Sequence, residues 1–278
     1  MYHGTRRSDQ ATLAAQLKYL ARNFRVTPLE VLVQARPGDS DGGPPRIALT
    51  FDDGLRNNFT VLYPLLRDLD IPATFFVCPG LIESGRWLWN HEMRCRLQGL
   101  SREGLAEVAR SLGTSSEGVE GVINWMKTLS QAQRTEAEEL VRSATPGFLP
   151  SREEHEAFDL MSWQELLTLD PRLITIGSHT LTHPILTNLT HQQAEEEVIA
   201  SRLRLETKLG RNAGLFCYPN GSYDPHVYRL VRANYQAAVS TEVGVLKSNP
   251  GSDLHRIPRI PSAVSAALTA WRLHRPGA

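Results

Sequence analysis

Short apolar runs that stop at turn residues alternate along this chain with longer amphipathic stretches, and that order constrains the fold more than any other feature. Ile47-Ala48-Leu49-Thr50-Phe51 has the continuous pattern of a strand buried on both faces, and Asp52-Asp53-Gly54 closes it. A helix is expected from about Asn58 to Leu69. Ala73-Thr74-Phe75-Phe76-Val77 then reads as a second buried strand, stopped by Pro79-Gly80. Strand, helix, strand in that order implies a parallel sheet.

The flanking segments extend the pattern. Leu13, Leu17, Leu20 and Phe24 share one face at helical spacing, and this first helix ends before Thr27-Pro28. A Pro/Gly/Asp-rich stretch, Arg36 to Pro45, leads into the first apolar run. From Gly85 to Asp159 no strand pattern is present; Glu- and Arg-rich helical segments carry Trp87, Trp89 and Trp125, which reads as an insertion on one face. Alternation resumes with the capping box Ser162-Trp163-Gln164-Glu165, a strand Leu173 to Ile176, and a long helix after Thr190 that ends at Gly210. Strands Gly214 to Tyr218 and Ala237 to Ser240 follow, with a helix from near Pro225 between them. The sum is one α/β domain over 1–278, most simply a distorted or incomplete parallel (β/α) barrel with a helical insertion at about 85–160. About 250 residues is a usual length for such a barrel.

Composition removes several function classes. A hydrophobic content of 41% is too high for a disordered chain, and 30 basic against 30 acidic residues leave no net field to attract nucleic acid or acidic membranes. No segment approaches the roughly 18 to 20 apolar residues of a membrane span, and Met1 to Arg7 has no apolar run behind its basic residues. A cytoplasmic location without export is the expectation, unless the true start lies upstream. Cys78, Cys95 and Cys217 match no zinc or redox spacing and read as free thiols. Oligomeric state stays open.

Chemistry gathers where the strands end. Asp52 and Asp53 sit side by side after an apolar strand, and successive strand residues point to opposite sides unless the chain has begun to turn. In Gly177-Ser178-His179-Thr180-Leu181-Thr182-His183-Pro184 two histidines lie four apart after another strand, where a helical turn or tight loop aims both imidazoles at one point, as a metal requires. Each feature alone has an ordinary reading: aspartates before glycine make turns, and histidines cap and fill interiors. Together, at strand carboxyl ends, they match the usual location of barrel active sites.

Thr50-Phe51-Asp52-Asp53-Gly54 together with His179-Thr180-Leu181-Thr182-His183 resembles the first two motifs of the polysaccharide deacetylase family, carbohydrate esterase family 4, the NodB homology domain. The resemblance runs from the Leu13–Phe24 helix to Arg256-Ile257-Pro258-Arg259. It implies a distorted (β/α) barrel that hydrolyses N-acetyl, sometimes O-acetyl, groups of an acetylated glycan with a divalent metal. Carried over by position, Asp53, His179 and His183 bind the metal and Asp52 is the general base. An Asp/His/His set suits Zn2+ first and also takes Co2+, Ni2+ or Fe2+.

The resemblance has gaps. The third motif, usually Arg-x-Pro-Tyr, corresponds to Cys217-Tyr218-Pro219-Asn220-Gly221, so the arginine that orients the base is missing. Asn220 can still offer its backbone N–H to an oxyanion, with Tyr218 and Pro219 shaping that turn. Arg259 is the expected source of the absent positive charge. No family-type late histidine is evident; His255 is the candidate acid for the leaving amine, with His274 behind it. The fourth motif is not recognisable around Ser240 to Gly244, and the family's first strand is cut short, since Tyr2-His3 follows Met1 directly.

Trp87, Trp89, Trp125 and Trp163 read first as packing residues, with Trp87 or Trp89, on the insertion above the barrel mouth, the candidates for stacking on a sugar face, while the sequons at Asn58, Asn188 and Asn220 read as chance. Two other functions compete with glycan N-deacetylation: an amidohydrolase or deformylase acting on a small or lipid-linked non-polymeric substrate, and a catalytically impaired glycan-binding relative. An intact Asp52 argues against the last.

Overall fold

The computed structural model describes residues 1–34, 42–246 and 252–274. Part of the expected Arg36–Pro45 loop lies outside the described residues. Among the described residues seven strands occur: β1 (Arg25–Val26), β2 (Arg46–Ile47), β3 (Thr50–Phe51), β4 (Ala73–Val77), β5 (Ile174–Ser178), β6 (Leu215–Cys217) and β7 (Ala237–Val239). β1 and β2 form a small parallel pair, and β3-β4-β5-β6-β7 form a five-stranded sheet in sequence order in which every pairing is parallel.

The apolar run Ile47 to Phe51, read above as one strand, is therefore shared by two sheets. Ile47 pairs with Val26, whereas Thr50 and Phe51 pair with Thr74 and Phe75. Only the second half reaches the main sheet, and it delivers Asp52-Asp53 to that sheet's carboxyl end.

Within β4 the side chains alternate as a pleat demands. Ala73, Phe75 and Val77 join a core with Leu17, Leu20, Leu62, Leu66 and Ile176, while Phe76 joins Leu215, Cys217, Val239 and Ile257 on the other face. The second face is the barrel interior, and Gly177 belongs to it by necessity. A Cβ there would stand 2.6 Å from the Phe76 ring.

The barrel is incomplete as a sheet, and irregular segments span its seam. In place of a first strand, Tyr2 alone makes a parallel bridge to Phe51, and its ring stacks on Phe51 at 4.8 Å. At the other edge Ile257 bridges Val239, and Met1 exchanges backbone hydrogen bonds with Ile260 and Ser262. The N-terminal residues thus lie between β3 and the segment after β7, which brings Arg259 of that segment to the end of β3.

Helices α1 (Gln10–Asn23), α2 (Leu29–Gln34), α3 (Tyr63–Asp68) and α4 (Pro79–Ser84) precede the insertion, and α10 (Trp163–Thr168), α11 (His191–Leu209), α12 (Pro225–Asn234) and α13 (Ala266–His274) follow it. The expected Asn58–Leu69 helix begins as a π-helical turn over Asn58–Leu62, where Asn57 and Asn58 accept bonds from Thr5. Side-chain ties to the N-terminal segment accompany that wider first turn. α11 has a Thr190–Gln193 capping box and stops at left-handed Gly210.

The insertion is helical, as expected: α5 (Trp89–Gln98), α6 (Arg102–Ser111), α7 (Gly118–Met126), α8 (Gln131–Ala144) and α9 (Arg152–Phe158). It has its own apolar core of Met93, Leu97, Val108, Val122, Ile123, Met126 and Val141. Glu92, Arg96, Glu138 and Arg142 form a half-buried ion network across α5 and α8. The body is tied to the barrel where Asn188 donates to the carbonyls of Lys127 and Leu129, and where Leu55 bridges Leu160.

Candidate active site

Asp52 and Asp53 part company because the chain turns between them. Asp53 adopts φ 75 and Gly54 φ 69, and a Cβ on Gly54 would stand 2.9 Å from the Val77 side chain of β4. Only glycine permits that approach. Among the described residues, four of the five non-glycine residues with positive φ are Asp53, Thr180, His183 and Asn220, all at the strands' carboxyl ends. Asp, His and Asn tolerate this region, whereas buried, β-branched Thr180 does not adopt it freely; its Oγ1 accepts the His183 N–H at 3.0 Å.

The segment carrying His179 and His183 is a tight loop rather than a helical turn. Glu197 of α11 organises it: one oxygen accepts the N–H groups of Leu181 and Thr182, each at 2.8 Å, and the other accepts the Thr182 hydroxyl at 2.5 Å. Burial pushes the Glu197 carboxyl up, against donors that favour its ionised form.

Asp52 faces the seam. Arg259 grips it with two parallel bonds, Nη1 to Oδ1 and Nη2 to Oδ2, both 2.8 Å. The remaining donors of the guanidinium reach Ser240 O, Thr50 Oγ1 and Cys217 Sγ, so all five N–H groups are used inside the protein. Arg259 is buried, not a solvated surface arginine. Burial alone would raise the Asp52 carboxyl; the charge and hydrogen bonds of Arg259 prevail and bring it down to about 2.

Asp53 faces the histidines. Its Oδ1 lies 3.6 Å from His179 Nε2 and 3.5 Å from His183 Nε2. These three donors form a compact cluster, all within 4.8 Å of one another. The separations approach those of ligands each about 2.0 to 2.2 Å from one ion, and one carboxylate with two imidazoles is a common zinc donor set. The residues present therefore fit a divalent metal. His179 is supported from behind, its Nδ1 lying 2.7 Å from the Cys217 carbonyl, which directs Nε2 at Asp53. Burial and the neighbouring His179 push His183 down to about 3, so it offers a neutral ring. Burial opposes charge on Asp53, yet the surrounding imidazoles hold its carboxyl well below the usual range.

A second cluster, Asp52, His179 and Cys217, is equally compact. It suits a metal poorly, since both Asp52 oxygens already meet the Arg259 cation, which also touches the Cys217 sulfur.

Asp52, Asp53, His179 and His183 floor a cavity of about 670 Å³. One wall comes from the N-terminal segment, with His3 and Arg6; another from Tyr218, Asn220 and Thr241; the third from the insertion, with Trp89, His91, Arg94, Lys127 and Phe158. Asn220, in a left-handed turn after Pro219, is at the cavity as expected. Trp89 lines it, and Trp87 does not: its Nε1 donates to Asp159.

His255 is not brought to the site. Its Nε2 lies 3.0 Å from the Tyr235 carbonyl, its ring meets Tyr228 edge-on, and it does not line the cavity. His274 lies near Tyr19 and Phe24 on the far helices. The imidazoles that do stand at the cavity beside the triad are His3 and His91. Reading the sequence named His3 only as part of the Tyr2-His3 pair at the chain's start and gave it no role, and it missed His91, which sits in no recognisable motif. Only their chemistry, and for His91 its neighbour Trp89, offered a signal.

A curled parallel sheet with a metal-type donor set and a buried, arginine-bound carboxylate at its carboxyl end defines an α/β-barrel protein built for hydrolytic chemistry. The chain belongs to the polysaccharide deacetylase family, a family of hydrolases, whose model matches residues 39–238. YxkH of Bacillus subtilis strain 168, assigned as a polysaccharide deacetylase, is 30% identical over 100 residues, 35% of this chain and 36% of that protein. The match thus spans about a third of that relative's length. The fold resembles Streptococcus pyogenes deacetylase PplD, with TM-score 0.62, 17% identity and coverage of 99% of this chain and 96% of that one. It also resembles IcaB from Ammonifex degensii, with TM-score 0.61, 17% identity and coverage of 97% and 94%. Among the described residues no helix is long and apolar enough to cross a membrane.

Proposed function

We propose that this chain hydrolyses acetyl groups from a glycan, most simply N-acetyl groups of N-acetylglucosamine-type units. Asp53, His179 and His183 would hold a divalent metal, zinc foremost. The observation that carries the reading is the division of two adjacent carboxylates, one facing two imidazoles and the other locked to a buried arginine.

A divalent cation at the triad supplies Lewis acidity to an amide carbonyl and acidity to a water molecule. The chain's own groups do the rest. Asp52 accepts the proton of the attacking water, and Arg259 keeps that carboxylate ionised and aimed. The Asn220 N–H faces the charge that develops on the carbonyl oxygen. Trp89 and Phe158 line the cavity with rings suited to the apolar faces of a pyranose.

An acid for the leaving amine must come within hydrogen-bond reach, which His255 does not from its place against Tyr235 and Tyr228.

The test is acetate release from an N-acetylglucosamine oligomer by the purified chain. Release that a chelator stops and zinc restores is the expected result. No release from protein holding stoichiometric zinc would overturn the substrate assignment.

A further inference from the structure

The cavity wall contributed by the insertion holds an imidazole that neither the family motifs nor the roles above use. His91 lies on α5, with Nε2 3.6 Å from Oδ2 of Asp53. Both of its ring nitrogens are buried, and neither has a hydrogen-bond partner. Its ring is stacked on Phe158 of α9, with centroids 4.6 Å apart and planes inclined by 28°.

Two buried nitrogens without partners are unusual, and each demands a reason. The division of Asp53 supplies one. Oδ1 is the oxygen near His179 and His183, and Oδ2 is the oxygen near His91. His91 falls outside the compact donor cluster of Asp53, His179 and His183, so it is badly placed to be a fourth ligand to the same ion. It is well placed to hold the oxygen that the ion leaves free. His179 already has support of that kind from the Cys217 carbonyl.

We propose that His91 is a positioning residue for the metal-binding carboxylate: its Nε2–H donates to Oδ2 of Asp53 and so presents Oδ1 to the ion beside His179 and His183. Outer partners of this type orient a ligand and raise its hold on the metal. The helical insertion is then part of the metal site, acting through the stack of His91 on Phe158 and not merely as a wall for substrate.

The inference rests on the metal reading of the triad, and its test separates the two. Zinc affinity is measured by chelator competition on the full chain, for the unaltered protein, His91→Ala and His91→Gln, with metal-free thermal melts alongside. His91→Ala is expected to weaken zinc binding about 10- to 100-fold. His91→Gln, which keeps a donor, recovers most of that loss. A mere packing role would move the melts of both variants and leave affinity per folded molecule unchanged. Failure of the unaltered protein to bind zinc stoichiometrically would sink the metal reading itself. Tight binding in the unaltered protein with affinity within about threefold in folded His91→Ala, or an equal loss in His91→Gln, would overturn only the role of His91. If His91→Ala does not fold, His91→Phe, which keeps a ring on Phe158 but has no donor, takes its place, and near-native affinity there overturns the role of His91.

Discussion

The barrel and the insertion each bury carboxylates against guanidinium groups, and the same pairing does different work in the two places. In the insertion Glu92 accepts from both Arg96 and Arg142, and Glu138 meets both Arg142 and Arg134, so each carboxylate has two cationic partners, and Glu92, Arg96 and Arg142 keep some contact with water. In the barrel Asp52 has one strong partner, Arg259, and both groups are almost wholly enclosed. A redundant, half-wet network fastens helices together. An isolated buried pair fixes the protonation state and direction of one carboxylate at a cavity floor. Redundancy and water access, not the residue types, separate the structural charge from the chemical one.

Breaking each pair tests this contrast. Arg259→Ala leaves Asp52 buried without its counter-charge, and about 3 to 5 kcal/mol of stability is expected to be lost in urea unfolding. The remaining folded enzyme should show the acid limb of its kcat/KM profile moved to higher pH, because burial then raises Asp52 against only the weaker pull of His179 and His3. A cost below about 1 kcal/mol would mean that the pair is no more critical than a surface bridge.

Glu197→Ala removes the acceptor for two N–H groups and a hydroxyl in the histidine loop. Unfolding should show a loss of roughly 2 to 3 kcal/mol, with weaker zinc binding because the loop that carries His183 is loosened at Leu181 and Thr182. Unchanged metal affinity would mean that the loop holds its shape without α11.

Acid pH gives a smaller, signed effect. The folded Asp52 carboxyl lies at about 2, below its ordinary value. Its contribution of about 2 kcal/mol is therefore present above about pH 4 and lost as the pH falls toward 2. In metal-free protein, the stability gap between the unaltered chain and Asp52→Asn should shrink across that window. A constant gap would contradict the assigned ionisation.

The smallest effect belongs to the insertion. Arg142→Ala leaves Glu92 with Arg96 and should cost about 1 kcal/mol, with no change in the pH profile. A loss as large as that of Arg259→Ala would erase the contrast between the two regions.

Sequence pattern carried the parts of this molecule whose physics is local. Ala73 to Val77 is buried at every position and reads directly as a sheet interior, and the Ser162 capping box and the long helix after Thr190 fall where the sequence puts them. The split of Ile47 to Phe51 between two sheets was not legible, since an apolar run does not reveal where its pairing partner changes. At the site, the Asp52-Asp53 and His179-His183 motifs were readable because their spacing is short. Arg259 was reached only through the gap at Cys217, and its contact with Asp52 spans 207 residues. His91 had no motif at all. It arrives from a separately packed body, and His255, late in the chain, turns to Tyr235 and Tyr228 instead of the cavity.

The central claim is that two neighbouring carboxylates hold different posts, and paired variants test it most directly. Zinc content and acetate release are measured for Asp52→Asn and Asp53→Asn beside the unaltered chain. Asp52→Asn should keep stoichiometric zinc while turnover falls by about 10²- to 10⁴-fold, and Asp53→Asn should lose both metal and turnover. Loss of zinc in Asp52→Asn, or near-normal turnover in either variant, would contradict the account.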